Sequence, residues 1–154
     1  MASLTRWLAE PEYRVISTLY FCRRIEGQGG LSRLLARWLW RRYVIGAGVL
    51  ISPLAVIGQN LRLPHPIGIV VSEEARIADR VTLYQNVTLG RRTASLVGAP
   101  TIGDDVVIYA GAVVAGPVSI GSGAVIGANA VVMEDVPPGA TAAGNPARII
   151  AAAV

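Results

Sequence analysis

A chain of 154 residues, 53% hydrophobic and 6% aromatic, carries enough apolar material for one buried core, which excludes a disordered chain. Cys22 is the only cysteine, which excludes an intramolecular disulfide and suits a reducing cytoplasm. The formal charge of +4 is uneven: eight Arg against three acids give +5 over residues 1–44, and six Arg against seven acids give −1 over the rest.

The basic segment comes first. Pro11-Glu12 has the form of a helix start, with Pro at the first position, and a stretch rich in Tyr, Ile, Leu and Phe runs to Ile25. Gly27-Gln28-Gly29-Gly30 breaks it. Leu31, Leu34, Leu35, Trp38 and Leu39 then recur at helical spacing, with Arg33, Arg37, Arg41 and Arg42 off that stripe. Residues 1–44 are therefore expected to form two short helices that cap the open end of the following domain. Their basic face reads first as a solvated or subunit-contacting surface, and second as a weak membrane-surface contact through Trp38, Trp40 and the Arg cluster. No nucleic-acid partner is expected. No secretory signal is expected, and the nearest candidate for a membrane span, Val44 to Ile57, is too short and is broken by glycines and Pro53.

From Ile45 an aliphatic residue returns at every sixth position: IGAGVL, ISPLAV, IGQNLR, LPHPIG, and later IGDDVV, IYAGAV, VAGPVS, IGSGAV and IGANAV. This period is neither that of a helix nor that of strand alternation. It suits a coil with three flat sides, one hexapeptide per side, whose opening aliphatic stacks on its equivalent in the coils above and below. The pattern gives about five coils over residues 45–154. It is broken at two places: by a two-residue expansion at Val70 to Arg76, and by a protruding loop at residues 90–101. Loops on a rigid scaffold tend to carry function.

His65 is the only histidine, set between Pro64 and Pro66. A lone imidazole can take a proton from a hydroxyl or amine. A three-histidine zinc site cannot be built from one His, so no metal is expected.

The run LRLPHPIGIVVSEEARIADRVTLYQNVTLG, the loop after it, GAPTIGDDVVIYAGAVVAG and the closing AAGNPARII together resemble the serine acetyltransferase branch of the hexapeptide-repeat acyltransferases. The resemblance covers about Ile45 to Ile150. It implies a left-handed parallel β-helix and direct acetyl transfer from acetyl-CoA to a hydroxyl. His65 falls on the catalytic base, and Glu73 matches an acidic residue able to orient it. Ala110, Gly111, Ala128 and Arg148 match positions that hold CoA in a groove between subunits of a homotrimer. Glu74, Arg91 and Arg92 are candidates for the acceptor.

The chain also departs from the family. Leu50 and Pro64 stand where members that use L-serine carry Asp, and Gly98 and Ala99 stand where the loop carries an Arg-His pair. These departures resemble a shorter subgroup with a PHP motif, associated with capsular and exopolysaccharide synthesis, so the expected acceptor is L-serine or a sugar hydroxyl. The lone cysteine leads to an expected place in the cytoplasm, and the basic N-terminal helices to a second expectation, contact with the inner face of the membrane. The alternative from a different class is a non-catalytic β-helix scaffold or interaction module.

Overall fold

The structure is a computed structural model and describes residues 4–26, 29–93 and 97–151. Each hexapeptide puts one aliphatic side chain inside and then turns onto the next face. Ile51, Ile57, Leu63, Val71, Ile77, Leu83, Leu89, Ile102, Ile108, Val114, Ile120, Ile126 and Val132 are all buried this way. A second buried position lies at the corners and takes smaller residues such as Ala75, Ala112, Ala124 and Ala130. The strands are only two or three residues long within the coils, because three flat sides must close within one circuit.

The strands form three sheets, one per face, and the circuits stack into five coils. The first face holds Leu50–Ile51, Val70–Val71, Thr88–Gly90, Val113–Ala115 and Val131–Val132 in that order. The second holds Val56–Ile57, Arg76–Ile77, Thr101–Ile102 and Ser119–Ile120. The third holds Thr82–Leu83, Val107–Ile108, Val125–Ile126 and Thr141–Ala143. Neighbours are parallel and in register, so Leu83 pairs with Ile108, and Ile108 with Ile126. Like therefore stacks on like, and each buried aliphatic contributes about 1.5–3 kcal/mol.

The corners explain the non-aliphatic pattern. Asn60, Arg80, Asn86, Asp105 and Asn129 all sit at positive φ between 56° and 60°. Asn and Asp tolerate that conformation. Arg80 is the exception, and its guanidinium is held by Asp105 at 2.7 Å. At the corner between the second and third faces, side chains cap backbone amides from coil to coil. Asp79 Oδ1 accepts from Gln59 N at 2.7 Å, Asp104 Oδ1 from Asp79 N at 2.8 Å, and Ser122 Oγ from Asp104 N at 3.1 Å. These carboxylates are thereby committed to the scaffold.

The helical cap differs from the expected pair. α1 (Leu4–Ala9) precedes α2 (Pro11–Glu26), and α3 (Gly30–Leu39) continues through a π-helical turn (Trp40–Val44) and a 3-10 turn (Ile45–Ala47). Pro11 separates the first two helices because its ring blocks a continuous hydrogen-bond ladder. The helical part thus runs on to Ala47, past the expected boundary at residue 44. α2 is tied to the first coil by Tyr20, whose hydroxyl donates to Gly58 O at 2.8 Å and accepts from Leu61 N at 3.1 Å. Arg23 adds a bond to Ala55 O at 2.6 Å. At the other end Arg148–Ala151 folds back antiparallel on Thr141–Ala143, covering that edge of the third face.

The two-residue expansion lies one unit earlier than expected. Val71 to Ile77 is an ordinary six-residue step, whereas Leu63 to Val71 takes eight, and Ile69 aligns beside Val87. The extra residues therefore widen the turn Pro64-His65-Pro66-Ile67-Gly68 itself. Of the loop at residues 90–101, Ala94, Ser95 and Leu96 lie outside the described residues.

Candidate active site

One edge of the prism gathers most of the chemically interesting residues. It is the corner between the third face and the first. In the first coil it carries His65, in the second Tyr84 and Gln85, in the third Tyr109, Ala110 and Gly111, in the fourth Ala128 and Asn129. Backbone bonds fix this order: Asn86 N donates to Ile67 O at 2.9 Å, Gly111 N to Gln85 O at 3.0 Å, and Asn129 N to Ala110 O at 2.9 Å. Arg148 reaches the same edge one strand beyond the fifth coil, through its antiparallel pairing with Ala143. Five strand spacings separate the His65 coil from that end, about 24 Å at the usual strand separation.

The widened turn pushes His65 outward, and its side chain is exposed. Ile67 N donates to the His65 carbonyl at 2.8 Å, which tightens the bend. Among the described residues the imidazole makes no hydrogen bond or ion pair. Its neighbour is the Tyr84 ring, with centroids 6.3 Å apart. Tyr84 in turn stacks on Tyr109 at 5.1 Å and 19°. An aromatic column thus climbs the edge from the imidazole. Tyr84 and Tyr109 were not singled out by the sequence reading. The signal was there, since each directly follows an inward aliphatic (Leu83, Ile108), but the loop between them hides their equivalence. The acceptor oxygen Oε1 of Gln85 is buried at this edge without a hydrogen-bond partner.

Gly111 and Ala110 are half-buried, and Ala128 is exposed. Gly111 has a structural reason of its own. Its φ is +72°, and a Cβ there would stand 2.2 Å from Asn129 Oδ1, so the asparagine of the next coil closes over it. Arg148 is exposed and free to meet an anion.

The acidic candidates lie elsewhere. Glu73 and Glu74 occupy the corner between the first and second faces, at the root of the loop. Arg91 pairs closely with Glu74, with Nε to Oε2 at 2.9 Å, and its Nη2 lies 3.8 Å from Glu73. Gly98 N also donates to Glu74 at 3.2 Å. The Arg91 hydrogen bonds, with that charge beside it, hold the Glu74 carboxyl below its ordinary range despite some desolvation. Glu74 and Arg91 thus fasten both ends of the loop, and Arg92 stands exposed beside them. Within one chain neither Glu73 nor Glu74 bonds to His65.

Residues 99–133 match the family model described as "Bacterial transferase hexapeptide (six repeats)". The serine acetyltransferase of Mycobacterium tuberculosis is 44% identical over 131 residues, covering 75% of this chain and 56% of that protein. A soybean serine acetyltransferase solved in complex with serine superposes with a TM-score of 0.82 and 38% identity, over 94% of this chain and 59% of that one. A serine acetyltransferase in complex with CoA gives a TM-score of 0.77 and 36% identity, over 90% of this chain and 56% of that one. The chain spans little more than half the length of these relatives. Their shared architecture makes the coil a left-handed parallel β-helix.

Proposed function

We propose that this chain, a serine acetyltransferase-like member of the hexapeptide-repeat acyltransferases, transfers acetyl from acetyl-CoA to a hydroxyl, with His65 as the base. The observation that carries this reading is the single edge on which His65, Ala110, Gly111, Ala128 and Arg148 line up. The small residues leave a shallow track for the pantetheine arm, and Arg148 supplies a guanidinium for a phosphate at its far end.

In the proposed step the neutral imidazole takes the proton of the acceptor hydroxyl as its oxygen attacks the thioester carbonyl. The C–O bond forms, the C–S bond breaks, and the imidazolium returns its proton to the leaving thiolate. No covalent enzyme intermediate is needed. Tyr84 limits the imidazole's freedom from one side, in place of a carboxylate. Glu73 lies on another corner of the same chain, so the orienting role assigned to it is a role across the boundary between copies.

A homotrimer is part of the proposal. On the first of the two faces that meet at the His65 edge the outward positions Leu50, Val70, Val113 and Val131 are apolar, with Thr88 among them, and the third face adds Val107 and Val125 between Thr82 and Thr141. Such strips favour burial against a second copy. Action in the cytoplasm is proposed because the sequence has Cys22 as its single cysteine, so no disulfide within the chain is needed for the fold.

The acceptor is L-serine or a sugar hydroxyl of a glycan precursor. The relatives' names favour serine. Leu50, Pro64, Gly98 and Ala99, which stand where a serine site needs polar groups, favour the sugar. Thiol release from acetyl-CoA by the purified protein tests the reading. Release that depends on L-serine selects the first acceptor, and release only with a glycan acceptor selects the second. No release with either leaves the non-catalytic scaffold. Under the active acceptor, Arg148→Ala is expected to raise the KM for acetyl-CoA roughly fivefold with kcat little changed. An unchanged KM removes Arg148 from the donor site.

A further inference from the structure

α3 turns an apolar stripe to solvent. Leu31, Leu34, Leu35 and Trp38 are 81%, 64%, 48% and 59% exposed, while the helix and its following turn bury Ala36, Trp40 and Val44 instead. At 3.6 residues per turn the four exposed side chains share one face. Arg37 borders it, Arg33 is exposed on the same helix, and Arg41 and Arg42 follow on the π turn. Residues 27–72 contain no Asp or Glu.

The stripe is bordered by rings. Trp38 meets Tyr43 edge-on at 6.5 Å, Trp7 meets the same ring at 5.1 Å, and the Arg42 guanidinium lies 5.2 Å over it. Beside the stripe an apolar groove of about 550 Å³ opens between α3 and the first coil. Ala36, Trp40, Leu50 and Leu54 line it, with Arg37 and Arg41 among its walls. Arg37 and Arg41 therefore belong both to the groove and to the flank of the stripe.

The charged side chains of α3 and its π turn are all Arg, and that charge selects the cover. A second copy laid on it would bring the same four guanidiniums from each side into one contact, with no acid on α3 or its π turn to offset them. A phosphate-bearing lipid surface offsets them and accepts the apolar stripe at once. α3 has 10 residues, far short of a span, and no described helix is long and apolar enough to cross a membrane.

We propose that α3 and its following turn dock this chain on an anionic phospholipid bilayer. Leu31, Leu34, Leu35 and Trp38 enter the interface, and Arg33, Arg37, Arg41 and Arg42 meet lipid phosphates. The contact lies on the cap of the first coil, the coil that carries His65, and it does not depend on acetyl transfer.

Co-sedimentation of the whole protein with phosphatidylglycerol vesicles, against phosphatidylcholine vesicles, tests this. Binding is expected with the former only, and it weakens as salt rises. The double variant Leu31→Ser with Leu34→Ser is expected to lower partitioning about tenfold or more. Arg33→Gln with Arg37→Gln lowers it roughly thirtyfold at low ionic strength. All four side chains are exposed, so thermal melting stays unchanged. Equal binding to both lipids, no binding to either, or binding that both doubles leave intact overturns the proposal. So does a fall in the mass of the lipid-free assembly caused by the Leu double, which would make the stripe a contact between copies.

Discussion

His65→Ala is expected to lower acetyl transfer by roughly a hundredfold to ten-thousandfold, the range removed with a general base, while the melting temperature stays where it was. The structure separates these two readouts. The imidazole is exposed and makes no hydrogen bond or ion pair among the described residues, so deleting it opens no cavity and strands no buried partner. The backbone that shapes its turn is held by Pro64, Pro66 and the Gly68 N to Gly48 O bond at 2.8 Å, none of which needs the side chain. Thiol release from acetyl-CoA and a thermal melt, run on the same preparation, check both halves. Full activity in the variant removes His65 from the reaction and with it the proposed mechanism. Lost activity together with a lowered melting temperature marks a structural residue instead.

The second large effect is on stability. Ile108→Ala is expected to destabilise the protein by about 3–4 kcal/mol. Ile108 is fully buried in the third coil and is stacked between Leu83 below and Ile126 above. Its three-sided surroundings are braced by two parallel ladders and cannot collapse into the void, so transfer and cavity costs add. Chemical denaturation followed by circular dichroism reads the change. A loss under about 1 kcal/mol would mean that the coils relax around the gap more freely than this packing allows.

The coil architecture was legible because every hexapeptide repeats one local decision, and errors in single units do not propagate. The position of the expansion was not legible. Ile69 and Val71 are both buried aliphatics two residues apart, so a six-residue frame can be drawn through either, and only strand register decides. His65 was found as a lone titratable group in a stiff turn. Its alignment with Ala110, Gly111, Ala128 and Arg148 needed the stacking of the coils, since these residues are distant in sequence. Tyr84 and Tyr109 escaped notice because an aromatic after an inward aliphatic looks like any outward position until two coils are superposed. Glu73 is linked to His65 only by the family resemblance, and within one chain a face of the prism separates them. α1 was missed because Leu4–Ala9 is a helix of 6 residues with no pattern long enough to show a period.

The parallel stacking has one more consequence. Each circuit adds one strand separation, about 4.8 Å, between His65 and Arg148, and nothing in the fold can stretch or shorten that step. The number of coils is therefore a ruler. Under the proposed function it sets the length of carrier whose anionic end can rest on Arg148 while its reactive end touches the imidazole. Inserting or deleting a whole circuit would recalibrate the gauge without altering a single residue at either end.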